Sequence, residues 1–296
     1  MKLHHLHALT AIAEHGSINA AARALCLTQP AITKTMRELE GDAGIPLLNR
    51  NSWGVTLTAE GRRLLERARV IVHEFERAKD ELAELRGAKA AALSIGLSPL
   101  AGLRVLPEAF VKFRSAMPEV VVDFYQQDTM TLLDGLRTGR LDFALAGFSE
   151  APADPFINST QLASYPAAFA IRRGSPLAGS TTFAQLQDAE WLHADAGDAY
   201  PRYLAEVFAR EGLPPPKRLT RCTSRILIDA LMARVDAVIP LSRAMIEQRN
   251  LTTDVQALQL PENPPVLNLC LITRDGGILS QSADYFIQCI HEAMAE

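Results

Sequence analysis

Between Ser17 and Glu40 the chain carries two short segments of helical periodicity joined by a tight break, close to its amino terminus. That pattern is a helix-turn-helix, a shape whose second helix fits the major groove of DNA. Ser17 is placed to cap the first helix and Thr28 the second, each side-chain oxygen accepting from orphan amides. Pro30 falls in the first turn of the second helix, where a missing N–H costs nothing. At about 100° per residue, Gln29, Pro30, Thr33, Lys34 and Arg37 share roughly 140° of arc, while Ala31, Ile32, Thr35 and Leu39 take the other side. One face is apolar and the other carries hydrogen-bonding groups. An ordinary core helix has the same amphipathic pattern, so the residues that follow matter. Pro46 to Arg50, Asn51 to Gly54 and Val55 to Thr58 form an extended run with a glycine-containing turn and period-two alternation, which predicts a β-hairpin. A hairpin directly after a recognition helix is a wing, with Arg50 at its base suited to a phosphate and Trp53 at its tip partly buried against it.

At 296 residues the chain exceeds one hydrophobic core and divides into two or three domains. The formal net charge of −4 confines any DNA-binding surface to a local patch. The first residues lack the apolar core of a signal peptide, and no run approaches the roughly 20 apolar residues that span a bilayer, so the expected location is the cytoplasm, away from membranes. Cys26, Cys222, Cys270 and Cys289 are widely scattered, which indicates neither a disulfide framework nor a metal site. His4, His5, His7 and His15 cluster, but the sequence supplies no acidic or thiol ligand at a suitable offset, so they are read as solvated or half-buried.

Beyond the wing, Thr58 caps a helix expected to run to about Arg86. Leu64, Ala68, Ile71, Phe75, Ala78, Leu82 and Leu85 repeat at three-four spacing along it, a coiled-coil seam among charged residues. At about 1.5 Å per residue the helix is roughly 40 Å long, more than a small winged domain covers, which predicts a homodimer through this helix. Gly87 to Ala90 reads as a hinge.

The pattern then changes to alternating strands and helices. Strands are expected at Leu93–Leu97, Val120–Tyr125 and Leu141–Ala146, with helices opening at Ser98-Pro99 and at Asp128 or Thr129: a βαβαβ unit with a parallel sheet. A second set has strands at Ala167–Ile171, Trp191–His193, Arg218–Cys222, Ala237–Ile239 and Val255–Leu258. Helices are expected near Phe183–Gln187, Pro201–Glu211, Arg225–Ala233 and Ser242–Gln248. A strand at Val266–Thr273 and a helix at Ser280–Ala295 close the chain. A crossover near Phe148–Leu162 and a return near Pro261–Pro265 make two lobes. Ligands of such sheets sit at the carboxyl ends of strands, which singles out the corners Ser98 with Pro99, Asp128 with Thr129, Tyr200 with Pro201, and Thr223 with Ser224. Helix amino termini favour anions, so a small carboxylate or sulfonate is the expected effector; simple capping uses the same groups.

Assembled in this order, the chain resembles a LysR-type transcriptional regulator over essentially its full length. The resemblance is carried by His-Gly-Ser-Ile-Asn-Ala-Ala-Ala, Thr-Gln-Pro-Ala-Ile-Thr-Lys and Arg-Glu-Leu-Glu within residues 15–40, and by Ile-Pro-Leu-Leu-Asn-Arg and Gly-Val-Thr-Leu-Thr-Ala-Glu-Gly within 45–61. Leu-Ser-Ile-Gly at 93–96, Leu-Pro-Glu-Ala-Phe at 106–110, Leu-Arg-Thr-Gly-Arg-Leu-Asp-Phe-Ala-Leu-Ala-Gly at 136–147 and Arg-Arg-Gly-Ser-Pro-Leu-Ala at 172–178 resemble its effector domain. It implies an α/β protein with a winged helix-turn-helix domain (1–58), a dimerising linker helix and hinge (59–90), and a two-lobed, periplasmic-binding-protein-like effector domain. Lobe 1 is expected over 91–162 with 267–296, and lobe 2 over 163–266. It also implies a homotetramer acting on promoter DNA and RNA polymerase under control of a small coinducer; no cofactor is expected. By resemblance, Gln29, Pro30, Thr33, Lys34 and Arg37 face DNA, and Ser98, Thr129, Pro201 and Ser224 match effector-site positions. Trp53 stands where the family's wing often carries an arginine. Ala233 to Ala237 lacks the glycines many members have between helix and strand, so Arg234 must end its helix another way. A similar stretch occurs in the branch resembling regulators of toluenesulfonate and aminobenzoyl-glutamate use, which suits an aromatic anion.

Two other readings compete. A thiol-based redox sensor on the same scaffold would use Cys222, which lies near Arg221 and Arg225. A binding protein or enzyme without a DNA role would need chemistry that the sequence does not display: it has no Gly-x-Ser-x-Gly elbow, glycine-rich phosphate loop or His-Glu-x-x-His.

Overall fold

A computed structural model describes residues 1–51, 54–86, 91–98, 105–150, 154–194, 199–247 and 254–295. Trp53, Pro99 and the expected hinge at Gly87–Ala90 lie outside the described residues, as do the side chains of Arg50 and Leu85. Packing divides the chain into two compact units, Met1–Ala92 with Asp134–Leu141, and Leu93–Leu133 with Asp142–Glu296.

The first unit opens with α1 (Leu3–His15), α2 (Ile18–Ala24) and α3 (Gln29–Ala43). Ser17 Oγ accepts from Ala20 N at 3.1 Å and Thr28 Oγ1 from Ala31 N at 3.4 Å, so both expected caps are made. The turn between α2 and α3 is a Schellman closure: Leu27 N donates to Ala22 O at 2.8 Å and Cys26 N to Arg23 O at 3.1 Å. Cys26 adopts the left-handed conformation at φ 54°, where glycine is usual, at a cost of about 1 kcal/mol. Leu6, Leu9 and Ile12 of α1 meet Ile32, Met36 and Leu39 of α3 in one buried core.

The hairpin follows as β1 (Leu48–Asn51) antiparallel to β2 (Gly54–Leu57), with Leu48 opposite Leu57 and Asn51 opposite Gly54. Leu47 and Leu48 N–H both donate to Glu40 Oε1, at 2.9 and 3.0 Å, so one carboxylate near the end of α3 holds the root of the wing. Thr58 Oγ1 accepts from Gly61 N at 2.9 Å and its hydroxyl donates to Pro46 O at 3.0 Å, capping α4 (Ala59–Leu85) while closing the hairpin. A methyl group at Gly61 would overlap the Leu47 carbonyl, so only glycine lets α4 start this close.

The expected seam along α4 divides in two. Ala68 is fully buried in the winged-domain core beside Leu65, and Leu64 is half-buried against it, so Ala68 has no surface to offer a partner. Ala68 therefore does not belong to a uniform partner-facing stripe, and the first turns of α4 pack with the winged domain. The cause is the packing of α1 along the first turns of α4. Farther along, Ile71, Phe75, Ala78 and Leu82 remain exposed.

The second unit holds two five-stranded sheets. In chain order, lobe 1 contributes β3 (Ala92–Leu97), α5 (Val105–Ala116), β4 (Val121–Gln126), α6 (Thr129–Arg137), β5 (Phe143–Phe148) and β6 (Ile157–Tyr165). Lobe 2 contributes β7 (Ala167–Arg172), a 3-10 turn at Phe183–Leu186, β8 (Glu190–His193), α7 (Ala199–Arg210), β9 (Arg218–Arg221), α8 (Arg225–Met232), β10 (Ala237–Ser242), α9 (Arg243–Glu247) and β11 (Val255–Ala257). The chain returns to lobe 1 with β12 (Leu267–Arg274) and α10 (Gln281–Ala295). Strand order is β4-β3-β5-β12-β6 in lobe 1 and β11-β7-β10-β8-β9 in lobe 2.

The sheets are mixed rather than purely parallel. β3 and β5 are parallel, whereas β12 runs antiparallel to β5 and β6; β8 is parallel to β9 and β10, whereas β7 is antiparallel to β10 and β11. The expected crossover at Phe148–Leu162 contains β6, an edge strand of lobe 1 that reaches Tyr165, and the lobes part at Pro166 rather than after Leu162. Ring packing of Phe113, Phe143 and Phe286 fills the lobe 1 core, with Phe113–Phe286 centroids 4.7 Å apart; Phe169, Trp191 and Phe208 fill that of lobe 2. Where Arg234 was expected to need a substitute for glycine, Arg234 N and Val235 N both donate to Leu231 O, at 2.9 and 2.8 Å, ending α8 by tightening its last turn.

Glu40→Ala leaves the Leu47 and Leu48 amides without their shared acceptor. Urea unfolding monitored on the full chain is expected to show a loss of about 1–3 kcal/mol; an unchanged midpoint would mean that water replaces the carboxylate at no cost.

Candidate nucleic-acid and effector surfaces

The two faces of α3 separate as its periodicity requires. Ile32, Met36 and Leu39 have no exposed surface, whereas Gln29, Pro30, Lys34 and Arg37 are exposed and Thr33 is intermediate. These five polar-side residues together line one shallow surface depression. Met36, which the spacing argument did not name, completes the apolar side. Lys34 Nζ lies 3.8 Å from Glu38 Oε1, an exposed pair one turn apart that is weak in water and easily exchanged for a phosphate or a base edge. Thr28 is exposed and Ser17 half-buried, both with their oxygens used as caps. The backbone of Arg50 lies in β1 opposite Val55.

In lobe 1, Ser98 continues β3 past its carboxyl end. Its amide donates to Leu145 O at 2.9 Å, and its Oγ accepts from Gly147 N at 2.9 Å. Gln127 N donates to Leu97 O at 3.1 Å, which sets the start of α6 beside Ser98. There Asp128 caps the helix, Oδ1 accepting from Thr131 N at 3.1 Å and Oδ2 from the Thr131 hydroxyl at 2.6 Å. These bonds hold the Asp128 carboxyl below its ordinary pKa. Asp128 therefore serves this corner as a helix cap, and its charged carboxylate works against an anion there.

In lobe 2 the carboxyl ends of β8 and β9 lie side by side, with His193 opposite Arg221 and Cys222 N donating to His193 O at 2.8 Å. Tyr200 stacks on His193 with ring centroids 5.3 Å apart, and burial raises its phenol well above the ordinary value, which keeps it a neutral hydrogen-bonding group. Pro201 follows it in the first turn of α7. Ser224 caps α8 by accepting from Leu227 N at 3.3 Å, with Thr223 exposed before it. Each sheet therefore brings two of the four expected corners together along one carboxyl edge. Cys222 is buried in the core with Ile228 and Met232, its Sγ 3.5 Å from Ser224 O, an environment of a packed thiol rather than an exposed reactive one.

No helix among the described residues is long and apolar enough to cross a membrane.

Comparison with known proteins adds two family matches. The family described as LysR substrate binding domain matches residues 86–295, and that described as bacterial regulatory helix-turn-helix protein, lysR family, matches residues 3–62. Similar curated proteins include the SDS degradation transcriptional activation protein of a Pseudomonas species, 29% identical over 283 residues that cover 96% of this chain and 88% of that one. The HTH-type transcriptional regulator GalR of Pseudomonas putida is 26% identical over 298 residues, covering 98% of this chain and 74% of the relative. Among solved structures, CbnR, a LysR family transcriptional regulator, superposes with a TM-score of 0.67 at 23% identity over 100% of both chains. Full-length CbnR complexed with its target DNA gives 0.65 at 23% identity, covering 99% of this chain and 100% of that one.

Proposed function

The chain belongs to the LysR family of bacterial helix-turn-helix regulators, and from that membership we propose that it binds promoter DNA through the polar face of α3 and is controlled by a small anionic effector held between the two α/β lobes. The observation that carries this reading is the outward row of Gln29, Pro30, Thr33, Lys34 and Arg37 on a helix whose other side is fully packed. Such a row sets side chains against base edges while Ser17 and Thr28, at helix starts, and Arg50, at the wing, meet phosphates. Homologues of this chain are regulators rather than enzymes, and the buried Cys222 gives a redox mechanism no better support.

A dimer pairs two recognition helices for a two-fold site. The exposed Ile71, Phe75, Ala78 and Leu82 on α4 form the contact, a dimer that in turn assembles into the tetramer expected of the family, acting in the cytoplasm on promoter DNA and RNA polymerase. In the effector domain, Ser98 and Thr129 from lobe 1 and Tyr200, Pro201, Thr223 and Ser224 from lobe 2 receive the effector. The free amides of α6, α7 and α8 point an electropositive end at a carboxylate or sulfonate. Binding shifts the balance between lobe arrangements by no more than the ligand's differential affinity for them.

Lys34→Ala is expected to weaken operator binding by about 1–3 kcal/mol, relax its sequence preference and leave effector affinity unchanged, read by fluorescence anisotropy at fixed salt. Native affinity for specific DNA in that variant would refute the α3 assignment. Phe75→Glu should halve the assembly mass in sedimentation equilibrium, and a native chain that sediments as a single subunit at working concentration would remove the dimer. Thr129→Val should abolish the effector-dependent change in DNA binding with basal operator affinity retained; an intact response would exclude Thr129 from the site.

A further inference from the structure

The amino-terminal histidines that the sequence left without an acidic partner acquire one in the fold. His4 and His5 stand on the first turn of α1, and Glu38 comes from α3, thirty-odd residues away in the chain; one ligand atom from each lies within 4.8 Å of the other two. His5 is 2% exposed, and its Nε2 is buried with no hydrogen-bond partner among the described residues, 3.4 Å from Glu38 Oε2. His4 packs edge-on to it, ring centroids 4.4 Å apart, with its own ring exposed. We propose that His4, His5 and Glu38 form a site for a divalent transition metal of the Zn2+ class, on the side of the winged domain where α1 meets α3.

Two imidazole nitrogens and one carboxylate oxygen are a donor set that suits Zn2+, Co2+ or Ni2+ and leaves a further position to water. Ligand bonds of about 2.0–2.2 Å in a tetrahedron need donors about 3.3 Å apart. The cluster reaches that by rotating the exposed His4 and the half-exposed Glu38 about a fixed His5. Coordination through His5 Nε2 requires the proton on Nδ1. In the structure Nδ1 accepts from Lys2 N at 3.3 Å; once the metal sets the tautomer, Nδ1 would instead donate, and Asp42 Oδ2, now 3.7 Å from it, would have to approach by about half an ångström to accept. A carboxylate behind a metal-bound histidine is the arrangement that orients such a ligand and raises its basicity. Asp42 Oδ2 also lies 2.6 Å from the Met1 amino group, and the carboxylate has lone pairs for both.

Glu38 faces two ways, one oxygen 3.4 Å from His5 and the other 3.8 Å from Lys34. A bound metal neutralises that carboxylate and releases Lys34 toward DNA; this consequence rests on the operator reading above, whereas the metal site does not. The test is calorimetric titration of the untagged full chain with Zn2+, paired with the visible spectrum of the Co2+-loaded protein. One metal per chain is expected, with affinity reduced about tenfold or more in His4→Ala and in Glu38→Gln. Both residues are exposed, so neither substitution removes a buried side chain. A native chain that takes up no Zn2+, or variants that bind it as the native chain does, would overturn the site. If the metal binds but operator affinity does not rise, the coupling to Lys34 falls and the site stands; failure of the operator reading itself would show without metal, in Lys34→Ala.

Discussion

An amphipathic helix buries one side, and α3 buries its apolar side completely. Ile32, Met36 and Leu39 lose all contact with solvent against Leu6, Leu9 and Ile12 of α1, and each side chain of this size contributes about 1.5–3 kcal/mol by leaving water. Rotating α3 about its axis would expose those three residues and bury Lys34 and Arg37, a cost of several kilocalories per buried charge. The outward polar row is therefore as rigidly determined as the core is. Glu40 extends that determination to the wing, because its carboxylate fixes the first residues of the hairpin to the same helix. The hairpin root is thereby tied to the helix that carries the polar row, so the proposed base and phosphate contacts share one packed support.

The long helix α4 changes character along its length. Its first turns complete the winged-domain core through Leu65 and Ala68, and Thr58 and Gly61 fix its starting point against Pro46 and Leu47. Farther on, the three-four repeat continues through Ile71, Phe75, Ala78 and Leu82 with nothing from the winged domain over it. In the proposed dimer, the same helix would then carry both contacts, so a partner on the distal stripe would also constrain the winged-domain core packed on its first turns.

In the effector domain the mixed sheets follow from the path of the chain. A segment that leaves lobe 1 at Pro166 and returns at β12 enters the first sheet from the opposite direction, so β12 runs antiparallel beside β5. The parallel strands that remain still place their carboxyl ends and the following helix starts on one edge, which is where hydroxyls and unsatisfied amides gather. Among the four corners, the environments differ: Asp128 is committed to capping and kept ionised, while Ser98, Thr129 and the neutral Tyr200 supply uncharged hydrogen-bonding groups. This contrast is what favours an anion at Ser98 and Thr129 over Asp128 in the proposed effector site.

Local signals made most of the architecture legible. Ser17, Thr28 and Thr58 cap where their hydroxyls and spacing said they would, and the apolar periodicity of α3 assigned its buried face before any fold was known. Elements were recognised where a residue's role depends on neighbours a few positions away. β6 gives little local signal, because Asn158, Ser159, Thr160 and Gln161 make an exposed edge strand with little alternation whose pairing comes from β12 over a hundred residues later. Ala68 lies on the same three-four repeat as the exposed Ile71 and Phe75, and a repeat along one helix does not say which surface will cover each residue. Sequence alone thus determined the helix-turn-helix, the wing, the long helix and the βα order, since each is a matter of periodicity and caps. Only tertiary structure decided how the α4 stripe is shared, which way the sheet strands run, and that Glu38 meets His5, since these depend on contacts that sequence separation does not encode.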